Sequence, residues 1–191
     1  MEDIRKIIQD SIDVKRKVLN SDIPAQLKAM AEEVTGKMKN NGKLLICGNG
    51  GSAADAQHIA AELSVRFKKE RGAIPALALG TNFSHLTAAA NDYGFDYVFS
   101  RQIEGIGKEN DVLLVLSTSG NSVNILEAVK KAQELEMTIY GWTGASGGQL
   151  AGKLDQLVRV PSKDTARIQE CHILLGHILC GLIEEKWAPN T

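Results

Sequence analysis

Two hydrophobic patterns alternate along this chain. Short runs of consecutive apolar residues are separated by longer segments in which apolar residues recur every three or four positions. The short runs lack in/out alternation, as in strands covered on both faces of a parallel sheet. The longer segments have the period of helices with one buried side. We predict strands at 43–47, 74–79, 112–116, 137–142 and 157–160, helices at 2–19, 52–68, 84–92, 96–107, 121–135 and 164–186, and one more helix between Asp22 and Gly42.

Strands and helices in this order predict an α/β fold. We expect a three-layer sandwich, with a five-stranded parallel sheet flanked by helices. A chain of 191 residues suits one domain, here residues 1–191. The two helices of residues 1–40 exceed what the sheet needs. We therefore expect them to form an N-terminal helical extension that packs subunits together in an oligomer.

Composition and charge argue against several classes of function. Lys and Arg number 22 and Asp and Glu 23, so the net charge is −1 and provides no electrostatic footprint for nucleic acid or a membrane surface. No apolar run approaches the ~20 residues of a membrane span. The acidic, amphipathic start, Met1 to Lys6, is unlike a signal peptide, so we expect a cytoplasmic protein. Three cysteines without CxxC spacing, Cys47, Cys171 and Cys180, predict buried thiols.

Two loops follow predicted strands at the sheet edge where ligands bind in open α/β folds. One is Gly48–Ser52. The other, Ser117–Ser122, carries four hydroxyl residues in six positions and enters a helix. N-capping needs only one such residue. Unpaired N–H groups, the helix dipole and several hydroxyls together predict a phosphate site. No GxxxxGK[ST] motif is present, which argues against nucleotide phosphoryl transfer.

The first loop also matches G-x-G-x-x-A through Gly48, Gly50 and Ala53. This spacing alone is a weak indication of a dinucleotide site. Such a site also places an acid after the next strand, where this chain has residues 79–82 without a carboxylate. A hydride-transfer enzyme is therefore a minor alternative.

Two helices carry candidate acid–base or metal-binding side chains. His58 and Glu62 are four residues apart, so they share one helix face and could reach one proton or one metal. A surface His–Glu pair would have the same spacing. On the terminal helix, Gln169 and His177 are separated by about 80° and ~12 Å along the axis. That helix is mostly apolar, and by this pattern alone a histidine there is more often a core residue than a ligand. His85 and His172 are expected to be structural.

In order along the chain, the motifs resemble those of the phosphoheptose isomerases in the sugar-isomerase (SIS) domain family. The match covers nearly the whole chain, and Glu62 and His177 make it more specific than the serine loop alone. The motifs are Cys47–Ser52, Gln57–His58 with Glu62, Asn91–Gly94, Leu116–Ser122, Thr143–Gly144 with Gly147–Gly148, and Arg167–Glu170 with His177.

The resemblance implies an aldose–ketose isomerase that converts sedoheptulose 7-phosphate to D-glycero-D-manno-heptose 7-phosphate through an enediol. This is the first step of activated heptose synthesis for bacterial surface polysaccharide. The resemblance further implies a homotetramer with active sites at subunit interfaces. It also implies one Zn²⁺ per subunit, held by His58, Glu62, Gln169 and His177.

The site residues fall into two groups, those that carry out the reaction and those that bind the substrate. We assign Glu62 as the base, a role that desolvation of a carboxylate favours, and His177 as the acid. Some relatives have His-Cys where this chain has Ala53 and Ala54, and some have Asp at Ala166, where Asp164 is a candidate substitute. The implied substrate-binding residues are Asn49, Gly50, Gly51, Ser52, Glu62, Asn91, Asp92, Ser117, Thr118, Ser119, Ser122 and Gln169.

Three questions stay open at this stage. The ~12 Å between Gln169 and His177 requires either that both side chains lean toward one ion or that one comes from a neighbouring subunit. A non-catalytic SIS-domain protein that binds a replication initiator is an alternative, although such proteins lack the pair Glu62 and His177. The same site could also isomerise another phosphosugar.

Overall fold

A computed structural model describes residues 3–188. Residues 1–2 and 189–191 of the predicted domain lie outside the described residues. Residues 1–2 also belong to the predicted N-terminal extension, and residue 2 to the predicted first helix. The helices are α1 (Ile4–Leu19), α2 (Ile23–Lys39), α3 (Gly51–Ser64), α4 (Phe83–Tyr93), α5 (Val98–Ile106), α6 (Val123–Glu134) and α7 (Thr165–Trp187), and the strands are β1 (Leu44–Gly48), β2 (Ala76–Ala78), β3 (Val112–Leu116), β4 (Thr138–Thr143) and β5 (Gln156–Arg159).

The five strands form one parallel sheet in the order β2-β1-β3-β4-β5. In β1, Leu44 pairs with Ala76 of β2 on one side and with Val112 of β3 on the other. The chain order therefore reverses between β1 and β3, and this is where open α/β sheets form a ligand crevice. The predicted fold class is confirmed.

The sheet is buried on both faces. Leu44 and Ile46 of β1 pack with residues of α1, α2, α3 and α7. Leu45 and Cys47 of the same strand pack with residues of α4, α5 and α6. All five residues of β3 are fully buried. Two apolar faces explain why the strands show no in/out alternation in the sequence.

The described helices and thiols agree with two further expectations. None of the helices within residues 3–188 combines the length and apolar content needed to cross a membrane. Cys47, Cys171 and Cys180 are buried and not disulfide-bonded, as predicted.

Helix α3 is shorter than the sequence pattern predicts: it ends at Ser64 instead of residue 68. The Arg71 side chain turns back over this end and donates hydrogen bonds to the carbonyl oxygens of Glu62, Leu63 and Val65. Those of Glu62 and Leu63 are last-turn carbonyls, which have no partner within the helix, and that of Val65 lies just past its end. A contact from seven residues beyond the helix end thus replaces the extra helical turn.

His172 of α7 lies in the core, as expected. Its side chain is fully buried, its Nε2 is 3.4 Å from the Thr143 carbonyl oxygen, and its ring packs near Trp142. Burial lowers the pKa of His172 to about 4, although the hydrogen bond to Thr143 opposes the shift.

This buried imidazole predicts acid sensitivity. Between pH 7 and pH 5 the unfolded chain binds a proton at this residue, with a reference pKa of 6.5, whereas the folded chain does not. The free energy of unfolding should therefore fall by about 2 kcal/mol more in the native protein than in His172→Met. Urea unfolding at the two pH values measures this difference, and equal losses in both proteins would contradict it.

Candidate active site

The predicted phosphate loop lies at the sheet crevice. The loop after β1 enters α3 at Gly51, and the loop after β3 enters α6 at Val123. The N-termini of both helices therefore adjoin this region, where their unpaired N–H groups favour an anion. A small cavity of about 60 Å³ opens here, lined by Asn49, Ser52, Leu116, Ser117, Thr118, Ser119 and Ser122.

Hydroxyls of the loop after β3 shape its turns and leave donors for a ligand. Ser117 Oγ accepts a hydrogen bond from the Gly120 N–H at 3.1 Å, and Ser119 Oγ accepts one from Asn121 at 3.2 Å. Ser122 is the N-cap of α6, yet its side chain makes no capping bond. Since both serine oxygens accept in these turns, their O–H groups can donate. The residues that line the cavity carry no charge.

Close backbone contacts hold this loop in shape. Gly120 has φ +67°, a conformation that favours glycine. A Cβ added there would lie 2.2 Å from the Gly147 carbonyl oxygen, and one added at Gly148 would lie 2.3 Å from the Ser119 carbonyl oxygen. The Gly147–Gly148 motif therefore has a packing role, because it lets the loop after β4 support the serine loop.

Asn49 connects the two loops. Its side-chain amide forms two reciprocal hydrogen bonds with the Asn124 amide of α6, both 2.8 Å long. Each amide retains one N–H for another partner. The sequence did not indicate Asn124, because a buried helix position is indistinguishable from an ordinary polar one until the loops are brought together.

His58 connects the two predicted catalytic residues. Its Nε2 atom is 3.2 Å from Glu62 Oε1 and 3.0 Å from Nε2 of His177. His58 and Glu62 lie on α3, and His177 lies on α7, 119 residues from His58 in the chain. The His58 side chain is 49% exposed and that of Glu62 23%, so both are accessible to a ligand. One chain therefore brings these three residues together without a neighbouring subunit.

Gln169 lies nearer the phosphate loop. A Cβ added at Gly51 would be 2.2 Å from Gln169 Nε2, so the amide rests on the first turn of α3 where only glycine leaves room. Gln169 thus contacts the first turn of α3, whereas His177, eight residues later on α7, contacts His58 in the middle of α3. The two residues are separated by ~12 Å along the axis of α7.

Asp55 lies between these groups and was missed by sequence reasoning. It is buried, and its Oδ2 atom has no hydrogen-bond partner. Burial raises the pKa of the Asp55 carboxyl, while a hydrogen bond from Gln169 and the charges of His58 and His177 oppose the shift. The spacing of Asp55, His58 and Glu62 (i, i+3, i+7) places them on one helix face and was the available signal.

Three other predicted or candidate residues lie apart from this cluster. Asn91 and Asp92 are exposed at the end of α4, where the Asn91 amide donates to the Asp92 carboxylate at 2.8 Å. Their role in substrate binding stays a prediction. Asp164 does not provide the carboxylate that some relatives have at the position of Ala166, because it caps α7 by accepting from the N–H groups of Ala166 and Arg167.

The predicted zinc ligands fit the ion in chemistry and in part in geometry. Two imidazole nitrogens, a carboxylate and an amide oxygen form a mixed N/O set that suits Zn²⁺. Tetrahedral bonds of roughly 2.0–2.1 Å place ligand atoms roughly 3.3 Å apart, close to the two spacings at His58. Yet within residues 3–188 no three His, Cys, Asp or Glu side chains are arranged to hold a metal. Side chains must therefore rotate to enclose an ion.

The contact between Gly51 and Gln169 is directly testable. In Gly51→Ala, the new Cβ should displace the Gln169 amide without unfolding the chain, because the displaced atoms end a flexible side chain. The side-chain amide signal of Gln169 in a ¹⁵N–¹H spectrum should shift. Gly72→Ala is the control, since nothing lies within 4 Å of its Cβ. An unchanged Gln169 signal in Gly51→Ala would contradict the placement.

Comparison with known proteins agrees with this architecture. The SIS domain model matches residues 9–144. The chain is 50% identical to a phosphoheptose isomerase of Rhodospirillum rubrum over 97% of this chain and 98% of the relative, and 56% identical to one of Campylobacter jejuni over 85% and 88%. A phosphoheptose isomerase structure from Francisella tularensis superposes with a TM-score of 0.91 at 42% identity, covering 95% of this chain and 96% of that one. This chain belongs to the phosphoheptose isomerases of the SIS domain family.

Proposed function

We propose that this chain isomerises sedoheptulose 7-phosphate to D-glycero-D-manno-heptose 7-phosphate, the first step in making activated heptose for surface polysaccharide. One observation carries the proposal: Glu62 and His177 meet at His58 on the accessible side of α3 and α7. The uncharged hydroxyl cavity lies at the other end of α3. A substrate that spans the two must have several carbons between its phosphate and its carbonyl.

The reaction moves one proton between carbon atoms 1 and 2. Glu62 removes the proton from C1 of the ketose, and His177 protonates the O2 carbonyl oxygen, so an enediol forms. His177 then takes the O1 proton as the C1 carbonyl forms, while Glu62 returns its proton to C2. Both residues end in their starting states, and no redox partner is needed.

Binding of the phosphate aligns the substrate for this transfer. The O–H groups of Ser117, Thr118, Ser119 and Ser122 and the N-terminus of α6 are suited to hold the phosphate oxygens. Fixing one end of the sugar orients C1 and C2 against Glu62, which is a gain from positioning. The other substrate-binding residues in this proposal are Asn49, Gly50, Gly51, Ser52, Asn91, Asp92 and Gln169.

We also propose one Zn²⁺ per subunit, held by His58, Glu62, Gln169 and His177. Bound there, the ion would polarise the substrate carbonyl as a Lewis acid. The Asp55 carboxylate, whose Oδ2 atom has no partner, lies beside Gln169 and supports the site, since ligands of metals are commonly oriented by a second carboxylate.

A homotetramer in the cytoplasm completes the proposal. On α1, Ile4, Ile8 and Ile12 are 72%, 56% and 40% exposed and share one helix face at a spacing of four. A ridge of large apolar side chains on a helix outside the sheet supports burial against another subunit. Asn91 and Asp92, which are exposed in one chain, could then contact substrate in a neighbouring one.

Replacing the proposed base tests the function. Glu62→Gln should lower kcat for sedoheptulose 7-phosphate by about 10²–10⁴-fold and leave the melting temperature close to native, because the side chain keeps its size and an oxygen atom that can bind metal but loses its proton acceptor. The exposed Glu104→Gln is the control. Near-native turnover by Glu62→Gln contradicts the base assignment. Activity of the native protein only on a shorter phosphoketose would identify another phosphosugar as substrate, and no activity would favour a non-catalytic binding protein.

Metal analysis tests the zinc proposal independently of turnover. The native protein should hold one Zn²⁺ per chain after dialysis. In competition with a chelating dye, His58→Gln should bind zinc more than about 100-fold more weakly. His85→Gln is a matched control, since His85 on α4 contacts the Val98 carbonyl. Native affinity in His58→Gln, or no zinc in the native protein, would contradict the ligand set.

A further inference from the structure

A buried ion pair lies beside the catalytic cluster and outside it. We call residues 65–71, which follow α3, the strap. Arg71 ends the strap, and its Nε is 3.1 Å from Oε1 of Glu184 on α7. The two side chains are only 1% and 2% exposed. A buried ion pair is weak evidence for stability, because desolvation offsets much of the attraction. The role of the Arg71–Glu184 pair must therefore be inferred from the groups that the two side chains contact.

The Arg71 guanidinium holds the end of α3. Its Nη2 donates to the carbonyl oxygen of Glu62 at 2.8 Å, and its Nη1 donates to that of Leu63 at 2.6 Å. A planar fork can serve both carbonyls and Glu184 at once, which a lysine ammonium cannot reproduce. The backbone of the proposed base is thereby fixed by a direct hydrogen bond.

The Glu184 carboxylate holds the strap. It accepts hydrogen bonds from three consecutive backbone N–H groups, those of Phe67 at 3.3 Å, Lys68 at 2.9 Å and Lys69 at 3.1 Å. Successive N–H groups of this kind form an anion-binding nest. Burial raises the pKa of Glu184, but these bonds and the Arg71 charge outweigh it and lower the pKa, so the carboxylate stays ionised.

The strap in turn contacts the proposed acid. The Phe67 ring stacks on the His177 ring, with centroids 5.9 Å apart and planes inclined by 11°. His177 also contacts His58, with ring centroids 5.0 Å apart and planes inclined by 70°. The imidazole thus packs against both Phe67 and His58, and the backbone N–H of Phe67 is held by Glu184.

We propose that Arg71, Glu184 and Phe67 are positioning residues that hold Glu62 and His177 at their working separation. This inference rests on the proposed isomerase function. One network reaches both catalytic residues: the backbone of Glu62 through Arg71 and the ring of His177 through Phe67. Loss of the network should misplace both groups and slow turnover, while the phosphate loop at the far end of α3 keeps its affinity.

Matched amide variants separate positioning from stability. Glu184→Gln removes a buried carboxylate that accepts three backbone bonds and a cation. Asp111→Asn removes a comparable group at the start of β3, where Asp111 is 1% exposed and accepts from two backbone N–H groups, those of Lys43 and Lys108, and from the Lys43 ammonium. Both variants should melt at lower temperature. Only Glu184→Gln should lose kcat, by about 10- to 100-fold, with KM within about threefold of native.

Arg71→Lys and the Phe67 variants extend the test. Arg71→Lys keeps the charge and loses the fork, so its kcat should also fall about tenfold. Phe67→Leu should lower kcat about tenfold, and Phe67→Tyr, which keeps the ring, should restore it to within about twofold. Native kcat in folded Glu184→Gln overturns the proposal. Should Glu184→Gln not fold, native kcat in Phe67→Leu overturns it instead.

A spectroscopic readout distinguishes this failure from failure of the proposed function. The Phe67 ring current shifts the ring-proton NMR signals of His177, whatever the enzyme does. These signals should move in Phe67→Leu and Glu184→Gln and stay in place in Asp111→Asn. An inactive native protein would refute the isomerase function alone. His177 signals at native positions in Glu184→Gln would refute the positioning role.

Discussion

The contact between α3 and α7 is the interaction on which the site depends. The two helices run side by side in the same direction, with Gly51 beneath Gln169, Ile59 against Gly176 and His58 beside His177. A Cβ added at Gly176 would lie 2.7 Å from Ile59 Cδ1. Small residues at the contact let the backbones approach, and only at that distance do short imidazole side chains from the two helices touch.

In the proposed function, phosphate binding and proton transfer take place at different positions along this contact. The N-terminal end of α3 lies at the sheet crevice, where hydroxyls and helix N–H groups offer neutral donors to a phosphate. The later turns carry Asp55, His58 and Glu62, and here α7 contributes an imidazole. The cavity at the serine loop is lined by uncharged side chains, so oriented dipoles are the groups that its lining offers to an anion.

Two buried carboxylates, those of Asp55 and Glu184, differ in their hydrogen bonding and in their distance from the proposed site. Asp55, beside the site, has an oxygen atom without a partner and a raised pKa, which is an energetic cost that the fold tolerates next to its chemistry. Glu184 accepts hydrogen bonds from three backbone N–H groups and from Arg71, and its pKa is lowered. One carboxylate lies beside the proposed metal ligands and the other orders the chain, although both are acids on helices of the same layer.

The sequence determined the layers, the parallel sheet and the two loops at the crevice. Strands buried on both faces and helices buried on one have different periods, and both are visible in a linear pattern. The family motifs indicated that Glu62 and His177 act together, but not which contacts bring the two side chains together.

The predicted length of α3 was wrong because Arg71, a residue beyond the helix, satisfies its final carbonyls. Asp55, Asn124 and Phe67 were missed because their roles depend on residues far away in the chain, such as Glu184, which is 117 positions from Phe67. Only tertiary packing decides such contacts, since a helical period specifies which face is buried and never what covers it.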